Sequence, residues 1–276
     1  MELKGDAAMK ADCYKVNAFV DKTLGFKGNA ACIVPLDEWL PDAAMLRLAK
    51  ENGVAETAFF IRNPEGSENA FSLRWFTPDI EMDLCGHATL ATAYTIATQL
   101  NYGHDVITFS SNSGNLAVSV RDGLCTLDFP SRPPKPARLP QNILDSLSIK
   151  PKEVLLARDY VLLYDKESDI RNITIDREMF DRLNIDPGGV VVTAPGDSCD
   201  FVSRFFTPQA TILEDPVTGS AHCSLIPYWS AKIGKVEMTA HQISAQGGTL
   251  YCRECGERVR ISGRGEVVKK FEINFG

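Results

Sequence analysis

The chain has 276 residues, of which 44% are hydrophobic and 24% charged, and its net charge is −7. That length admits one large domain or two modest ones, with a core that needs neither a disulfide nor a metal as a staple. The composition excludes a disordered chain, and the acidic balance argues against a nucleic-acid-binding protein with a broad basic face.

Residues 12–20 and 30–36 read as strands. Pro41 opens a helix whose apolar Met45, Leu46 and Leu48 precede Gly53, a suitable C-terminal cap. Residues 54–61 and 71–76 are extended and rich in aromatic side chains. Residues 86–100 hold no charged side chain, which predicts a helix buried on all sides. Strands follow at 106–110, 115–120 and 125–129, the last two joined by Arg121-Asp122-Gly123, a hairpin signal. Residues 130–136 carry four prolines in seven positions and form the best linker candidate. In the second half 142–149 and 177–183 look helical, while 154–156, 190–193 and 201–206 look extended. A second uncharged helix is expected over 219–231, with Pro227 bending or ending its regular part. From 243 to 275 the pattern is of further strands broken by glycines.

No run approaches the ~18 apolar residues of a membrane span. Glu2, Lys4, Asp6, Lys10 and Asp12 leave no apolar stretch behind a basic start, so no secretory signal is expected and the cytoplasm is the default. Eight cysteines are present, several inside apolar stretches, as buried reduced thiols are. Cys252 and Cys255 form a lone C-x-x-C in the strand-like 249–255. A zinc site needs about four ligands, so incidental thiols are expected there rather than a metal site.

One internal repeat organises the chain. Arg74-Trp75-Phe76-Thr77-Pro78 recurs as Arg204-Phe205-Phe206-Thr207-Pro208. Acidic residues follow each copy: Asp79, Glu81 and Asp83 in one, Glu214 and Asp215 in the other. Gly86-His87-Ala88 and Gly219-Ser220-Ala221 then open the two uncharged helices. The repeated order indicates a duplication, hence two similar domains, each a sheet wrapped around one helix. A glycine at each helix start leaves backbone N–H groups open to an anion. Two such starts facing each other would bind a carboxylate.

At these residues the chain resembles the phenazine-biosynthesis PhzF-like isomerases, which share the diaminopimelate epimerase-like fold. The resemblance is carried by Asp83-Leu84-Cys85-Gly86-His87-Ala88-Thr89, by Ala55-Glu56-Thr57-x-Phe59, and by Glu214-Asp215-Pro216-Val217-Thr218-Gly219-Ser220-Ala221-His222-Cys223. Gly25-Phe26-x-Gly28-Asn29-Ala30 and Gln246-Gly247-Gly248 match as well. The resemblance implies an α+β fold of two pseudo-symmetric domains, each a barrel-like mixed sheet around a central helix, with the active site between them. The expected division is 1–129 and 130–266, with a terminal strand over 267–276 returning to the first domain. Cofactor-independent proton transfer on a small carboxylate-bearing substrate is implied, often in a homodimer. No metal, nucleotide or flavin is implied, and neither Gly-x-Gly-x-x-Gly nor a Walker loop is present.

Glu56 is a lone carboxylate in an apolar run, and burial without a cation would favour its neutral form, suiting a group that takes and returns a proton. An acid hydrogen-bonded at a strand end would look the same, and the resemblance selects the general acid/base role. His87 opens a helix whose positive end disfavours imidazolium. It reads as a substrate-polarising group or as a capping or core histidine. Asp215 fits a turn or a cap by itself; the resemblance has it face the substrate. Gly86, Gly219 and Ser220 would offer donors to the carboxylate. Cys85 precedes the first helix start and is expected as a packed or weakly reactive thiol, although helix starts lower thiol pKa values. Thr218 stands at the second start, so a two-thiol racemase is not supported. The rivals are an amino-acid racemase or epimerase using Cys85, and a non-catalytic protein-binding module. One departure stands out: the phenazine enzyme has serine before the glutamate, and this chain has Ala55.

Overall fold

The computed structural model describes residues 9–63, 70–100, 102–185 and 188–275. The first half runs β1 (Met9–Ala18), β2 (Asn29–Leu36), α1 (Asp42–Asn52), β3 (Glu56–Arg62), β4 (Ala70–Phe76), β5 (Glu81–Met82), α2 (Gly86–Gln99), β6 (Val106–Ser111), β7 (Gly114–Arg121) and β8 (Leu124–Pro130). The second half runs β9 (Lys135–Pro136), α3 (Gln141–Ser146), β10 (Glu153–Leu156), β11 (Tyr160–Leu163), α4 (Glu167–Asn172), α5 (Arg177–Phe180), β12 (Val190–Pro195) and β13 (Phe201–Phe206). It ends with β14 (Glu214–Asp215), α6 (His222–Ile233), β15 (Glu237–Gln242), β16 (Gly248–Cys255) and β17 (Arg258–Phe275).

The duplication is written in the strand pairings. In the first half β2 runs parallel to β3, β4 antiparallel to β3 and β5, and β6 parallel to β4. In the second, β11 runs parallel to β12, β13 antiparallel to β12 and β14, and β15 parallel to β13. The N-terminal part of β17 pairs with β8 and β16, and its C-terminal part pairs with β1. Among the described residues this closes β1, β2, β3, β4, β6, β7, β8 and β17 into an eight-stranded barrel. A second ring closes through β9, which continues β8 and pairs with β10. The fold is α+β, as the resemblance implied.

Each ring encloses one of the uncharged helices. Helix α2 is buried on nearly every side. Its threonines avoid the cost of burying a hydroxyl by bonding back to the preceding turn. Thr89, Thr92 and Thr95 donate to the carbonyls of Cys85, Ala88 and Ala91 at 2.5, 2.7 and 2.8 Å. In α6, Trp229 stacks on Phe201 at 5.5 Å and donates its indole N–H to Thr193 Oγ1 at 3.0 Å.

Four expectations change. Pro227 does not end α6, which continues to Ile233. The Cys223 carbonyl, which proline cannot engage, accepts the backbone N–H of Arg132 at 2.8 Å. The proline-rich segment is therefore docked: Ser131 N–H donates to Glu257 O, and β9 joins the sheet. Helix α6 starts at His222 rather than Gly219, after a tight turn in which His222, Cys223 and Ser224 donate to Gly219, Ser220 and Ala221. In the last segment Gly247 and Gly256 do separate strands, at φ 68° and 75°, but Gly263 and Gly265 do not. β17 is continuous, and Gly263 and Gly265 make room for the Phe19 and Tyr94 rings, which an added Cβ would approach to 2.3 and 2.6 Å.

The two glycine motifs outside the helices clamp the halves together. Lys27 and Gly28 donate backbone N–H groups to the carbonyls of Gln246 and Gly247, both at 2.9 Å. Thr249 N–H donates to Phe19 O at 3.1 Å. Gly28 is left-handed at φ +74°, and a Cβ there would lie 2.2 Å from Ala18 O. The clamp sets Asn29, the next residue, beside the segment that carries Asp215. No helix among the described residues is long and apolar enough to cross a membrane.

Candidate active site

Glu56, Gly86, His87, Asp215, Gly219 and Ser220 all line one cleft of about 950 Å³, part of it open to solvent. The start of α2 and the turn that leads into α6 meet there: a Cβ added to Gly86 would lie 3.0 Å from Gly219 Cα. The first N–H groups of a helix have no partner within it, so donors from both halves converge there.

Glu56 is the first residue of β3, delivered by the turn in which Gly53 ends α1 at φ 59°. Its Oε2 lies 2.9 Å from His87 Nε2, with both side chains close to fully buried. The two atoms are close but not aligned as a hydrogen bond, and among the described residues neither has a hydrogen-bond partner. On the other ring edge, His87 Nδ1 faces the Asn29 amide nitrogen at 3.1 Å and the Cys85 sulfur at 3.6 Å. The same amide donates to Asp215 Oδ1 at 2.6 Å and to Val217 O at 3.0 Å. Asp215 Oδ2 accepts the Thr218 hydroxyl at 2.6 Å. Gln242, at the end of β15, donates to Asp215 O at 2.7 Å and accepts Thr218 N–H at 2.8 Å. One chain of polar contacts thus runs from Glu56 through His87 and Asn29 to Asp215.

Burial, and then the Glu56 charge, push Asp215 up to about 6. Burial, again with Glu56, pushes the Cys85 thiol up to about 11. This agrees with the packed, weakly reactive thiol expected from sequence, since desolvation outweighs the helix end. Burial also opposes a charge on His87, but the Cys85 sulfur and the Glu56 carboxylate outweigh it and raise the ring's pKa. The helix end alone was expected to keep the ring neutral, and the carboxylate at 2.9 Å acts the other way.

Glu56, Cys85 and His87 are also a potential metal-ligand set, with donor atoms within 4.8 Å of one another. The carboxylate lies at Nε2 and the sulfur at Nδ1, on opposite edges of one ring. A shared ion needs all three donors turned to one point. Cys252 and Cys255 are a buried and an exposed thiol, and both are free.

The register separates the acidic residues that follow each repeat. Arg74 holds Glu81 through two hydrogen bonds at 2.7 and 2.6 Å, and Arg204 holds Glu214 at 2.7 and 2.8 Å. Asp83 binds Arg158 at 3.0 Å, and Asp79 accepts both the N–H and the hydroxyl of Thr211, at 3.0 and 2.8 Å. Phe205 pairs with Asp215 where Trp75 pairs with Met82. Asp215 therefore has Met82 as its counterpart, and the same alignment sets Gly189 against Glu56. Asn29 and Gln242 were not singled out from sequence, and Thr218 was noted only as standing where a second thiol would be. Asn29 lay within a motif, whereas nothing local distinguishes a buried glutamine at a strand end.

The family model of "Phenazine biosynthesis-like protein" (PhzC-PhzF) matches residues 16–270. An uncharacterised isomerase of Pseudomonas aeruginosa is 43% identical over 257 residues, 93% of this chain and 96% of the relative. The crystal structure of a PhzF-family phenazine biosynthesis protein from Enterococcus faecalis aligns with a TM-score of 0.86 at 40% identity, over 96% of this chain and 99% of that one. A hydroxyproline epimerase from Agrobacterium vitis shares the fold, with a TM-score of 0.66 at 11% identity over 96% of this chain and 91% of that one. Fold and relatives together define an isomerase of the epimerase-like fold. Within that class, the chain belongs to the phenazine biosynthesis-like (PhzF) family.

Proposed function

We propose that this isomerase moves a proton on a small carboxylate-bearing molecule bound between two domains, 1–129 with 267–276 and 130–266, without a cofactor. The observation that carries the reading is the Glu56–His87 contact of 2.9 Å beside the paired helix starts. The substrate carboxylate sits over the N–H groups at Gly86 and Gly219, with the Ser220 hydroxyl as a further donor. The Glu56 carboxylate takes a proton from a carbon adjacent to an unsaturated or carbonyl group. It returns the proton to another carbon of the same π system, so that a double bond shifts. His87 Nε2, beside Glu56 at rest, donates its N–H to charge developing on the substrate during transfer. Asp215, near neutrality in its protonation, steadies a substrate hydroxyl or amino group.

The rival in which Cys85 is the base finds little support, since a thiol pushed up to about 11 holds its proton at neutral pH. The test is solvent-deuterium incorporation into a panel of cyclic and amino carboxylates, followed by NMR or mass spectrometry. At least one compound should exchange, and Glu56→Gln should slow that exchange by about 10²–10⁴-fold, the size of a positioned acid/base. Equal exchange by the variant sinks the shuttle. Exchange by no compound, with surface changes abolishing a protein partner instead, would favour the binding-module rival.

A further inference from the structure

We propose that Asn29 is a positioning residue that keeps the His87 proton on Nε2, facing Glu56, and ties Asp215 into the same polar chain. The proposal deepens the acid/base reading above, on which its kinetic arm rests; its spectroscopic arm does not.

Asn29 is the first residue of β2 and is 1% exposed. Its amide nitrogen has three neighbours: Asp215 Oδ1 at 2.6 Å, Val217 O at 3.0 Å and His87 Nδ1 at 3.1 Å. The Val217 carbonyl can only accept, which fixes the orientation of the amide. An amide nitrogen only donates; its two protons are shared among these three neighbours, so a bare Nδ1 is tolerated beside it and a protonated one is repelled. A proton on Nδ1 would point at another N–H in a buried site, with only the Cys85 sulfur at 3.6 Å, a weak acceptor, to receive it. Cys85, a protonated thiol at 3.6 Å, is a second donor converging on the same nitrogen. The ring's proton is left on Nε2, 2.9 Å from the Glu56 carboxylate.

The groups facing His87 are Glu56 from β3, Cys85 from the turn before α2, and Asp215 from β14 across the Asn29 amide. Glu56 pulls the ring toward imidazolium. Without opposition, Glu56 and His87 would settle as a closed ion pair. Asn29 supplies the opposition. It is bound to both halves, since Asp215 and Val217 belong to the second, so the tautomer is set only when the halves are docked by the clamp beside it.

The chain has four histidines, so the His87 resonances can be assigned by their loss in His87→Asn. The full chain labelled with 15N-histidine is examined at pH 8 by long-range 1H–15N correlation. Because Glu56 raises the ring's pKa, the titration is carried upward from there until the wild-type ring is neutral, and that neutral ring is expected with Nε2 protonated and Nδ1 bare. In Asn29→Asp, whose carboxylate accepts from Nδ1–H, both nitrogens should be protonated at that pH. In Asn29→Leu, which has no donor, the Nδ1 signal should move toward the protonated position. A wild-type ring carrying its proton on Nδ1 overturns the proposal and needs no variant to fold. Wild-type shifts in both folded variants overturn it equally. With an exchanging substrate in hand, Asn29→Leu should lower kcat at least tenfold with little change in KM, and a change in KM alone would contradict the assigned role. If no substrate exchanges, the acid/base reading fails while the tautomer result still stands or falls by itself.

Discussion

Gly86 and Gly219 touch backbone to backbone, each leaving no room for the other to carry a side chain. A Cβ on Gly86 would lie 3.0 Å from Gly219 Cα and 3.2 Å from Ser220 N, and one on Gly219 would lie 3.2 Å from Gly86 Cα. These neighbours are main chain, so relief requires the helix starts to separate. Gly86→Ala should therefore cost about 1–3 kcal/mol in denaturant unfolding, as overpacking does. It should also weaken binding of any carboxylate ligand, because the donors of the two starts no longer converge. Unchanged stability would mean that the halves slide apart freely.

Asp215 gives the site a pH signature. Its folded value is about 6 against 3.8 for the free group. Between those values the folded chain holds a proton that the unfolded chain has lost. Its contribution is fully in place below pH 3.8 and is lost as pH climbs through 6. Asp215→Asn removes that term, so the stability of the variant relative to wild type should rise across the window. The variant also loses an acceptor for Asn29 or Thr218, which shifts the whole curve but not its slope. Parallel curves from urea titrations between pH 4 and 7 would show that Asp215 is not raised.

Much of the frame was legible because duplication leaves local marks. The Arg-aromatic-Phe-Thr-Pro repeat marked β4 and β13, and Gly-x-Ala marked the start of α2 and the turn before α6. The two uncharged stretches marked the buried helices. What stayed hidden depends on long-range partners. Pro227 reads as a helix breaker until Arg132, some ninety positions earlier, is seen donating to the orphaned Cys223 carbonyl. Gly263 and Gly265 read as breaks until Phe19 and Tyr94 fill the space they leave. Glu81 and Glu214 look as eligible as Asp215 until each is found on its arginine. Asn29 and Gln242 are polar residues at strand ends, and only the meeting of two halves makes them central.

Cys85 provides a direct contrast between two chemistries. Burial pushes its thiol up to about 11, and it is 4% exposed. Cys85→Ser should keep most of the exchange activity, since Glu56 and His87 keep their contact. A loss beyond about 10²-fold would instead mark the sulfur as a proton carrier. Alkylation at pH 8 should reach the exposed Cys255 and spare Cys85, with peptide mass mapping as the readout.

The two repeat arginines allow one further test, because their structural roles match and their neighbours do not. Arg204 grips Glu214 with two charged hydrogen bonds, donates to Ile173 O at 2.9 Å and lies over the Phe206 ring at 5.0 Å. Arg74 grips Glu81 in the same way, lies over the Phe76 ring at 5.2 Å and reaches Asp42 at 2.9 Å. Lysine reproduces neither fork. Arg204→Lys and Arg74→Lys should each destabilise the fold, by about 1–3 kcal/mol, since each leaves a part-buried glutamate poorly paired. Their effects on catalysis should part. Glu214 is followed by Asp215, so loosening it displaces the acid held by Asn29 and Thr218, and exchange should fall at least tenfold at temperatures where the chain is folded. Glu81 is followed by Met82, which carries no charge, so Arg74→Lys should exchange at close to the wild-type rate once folded. Equal losses in the two variants would mean that Asp215 is held by its own hydrogen bonds alone and that Arg204 serves only stability.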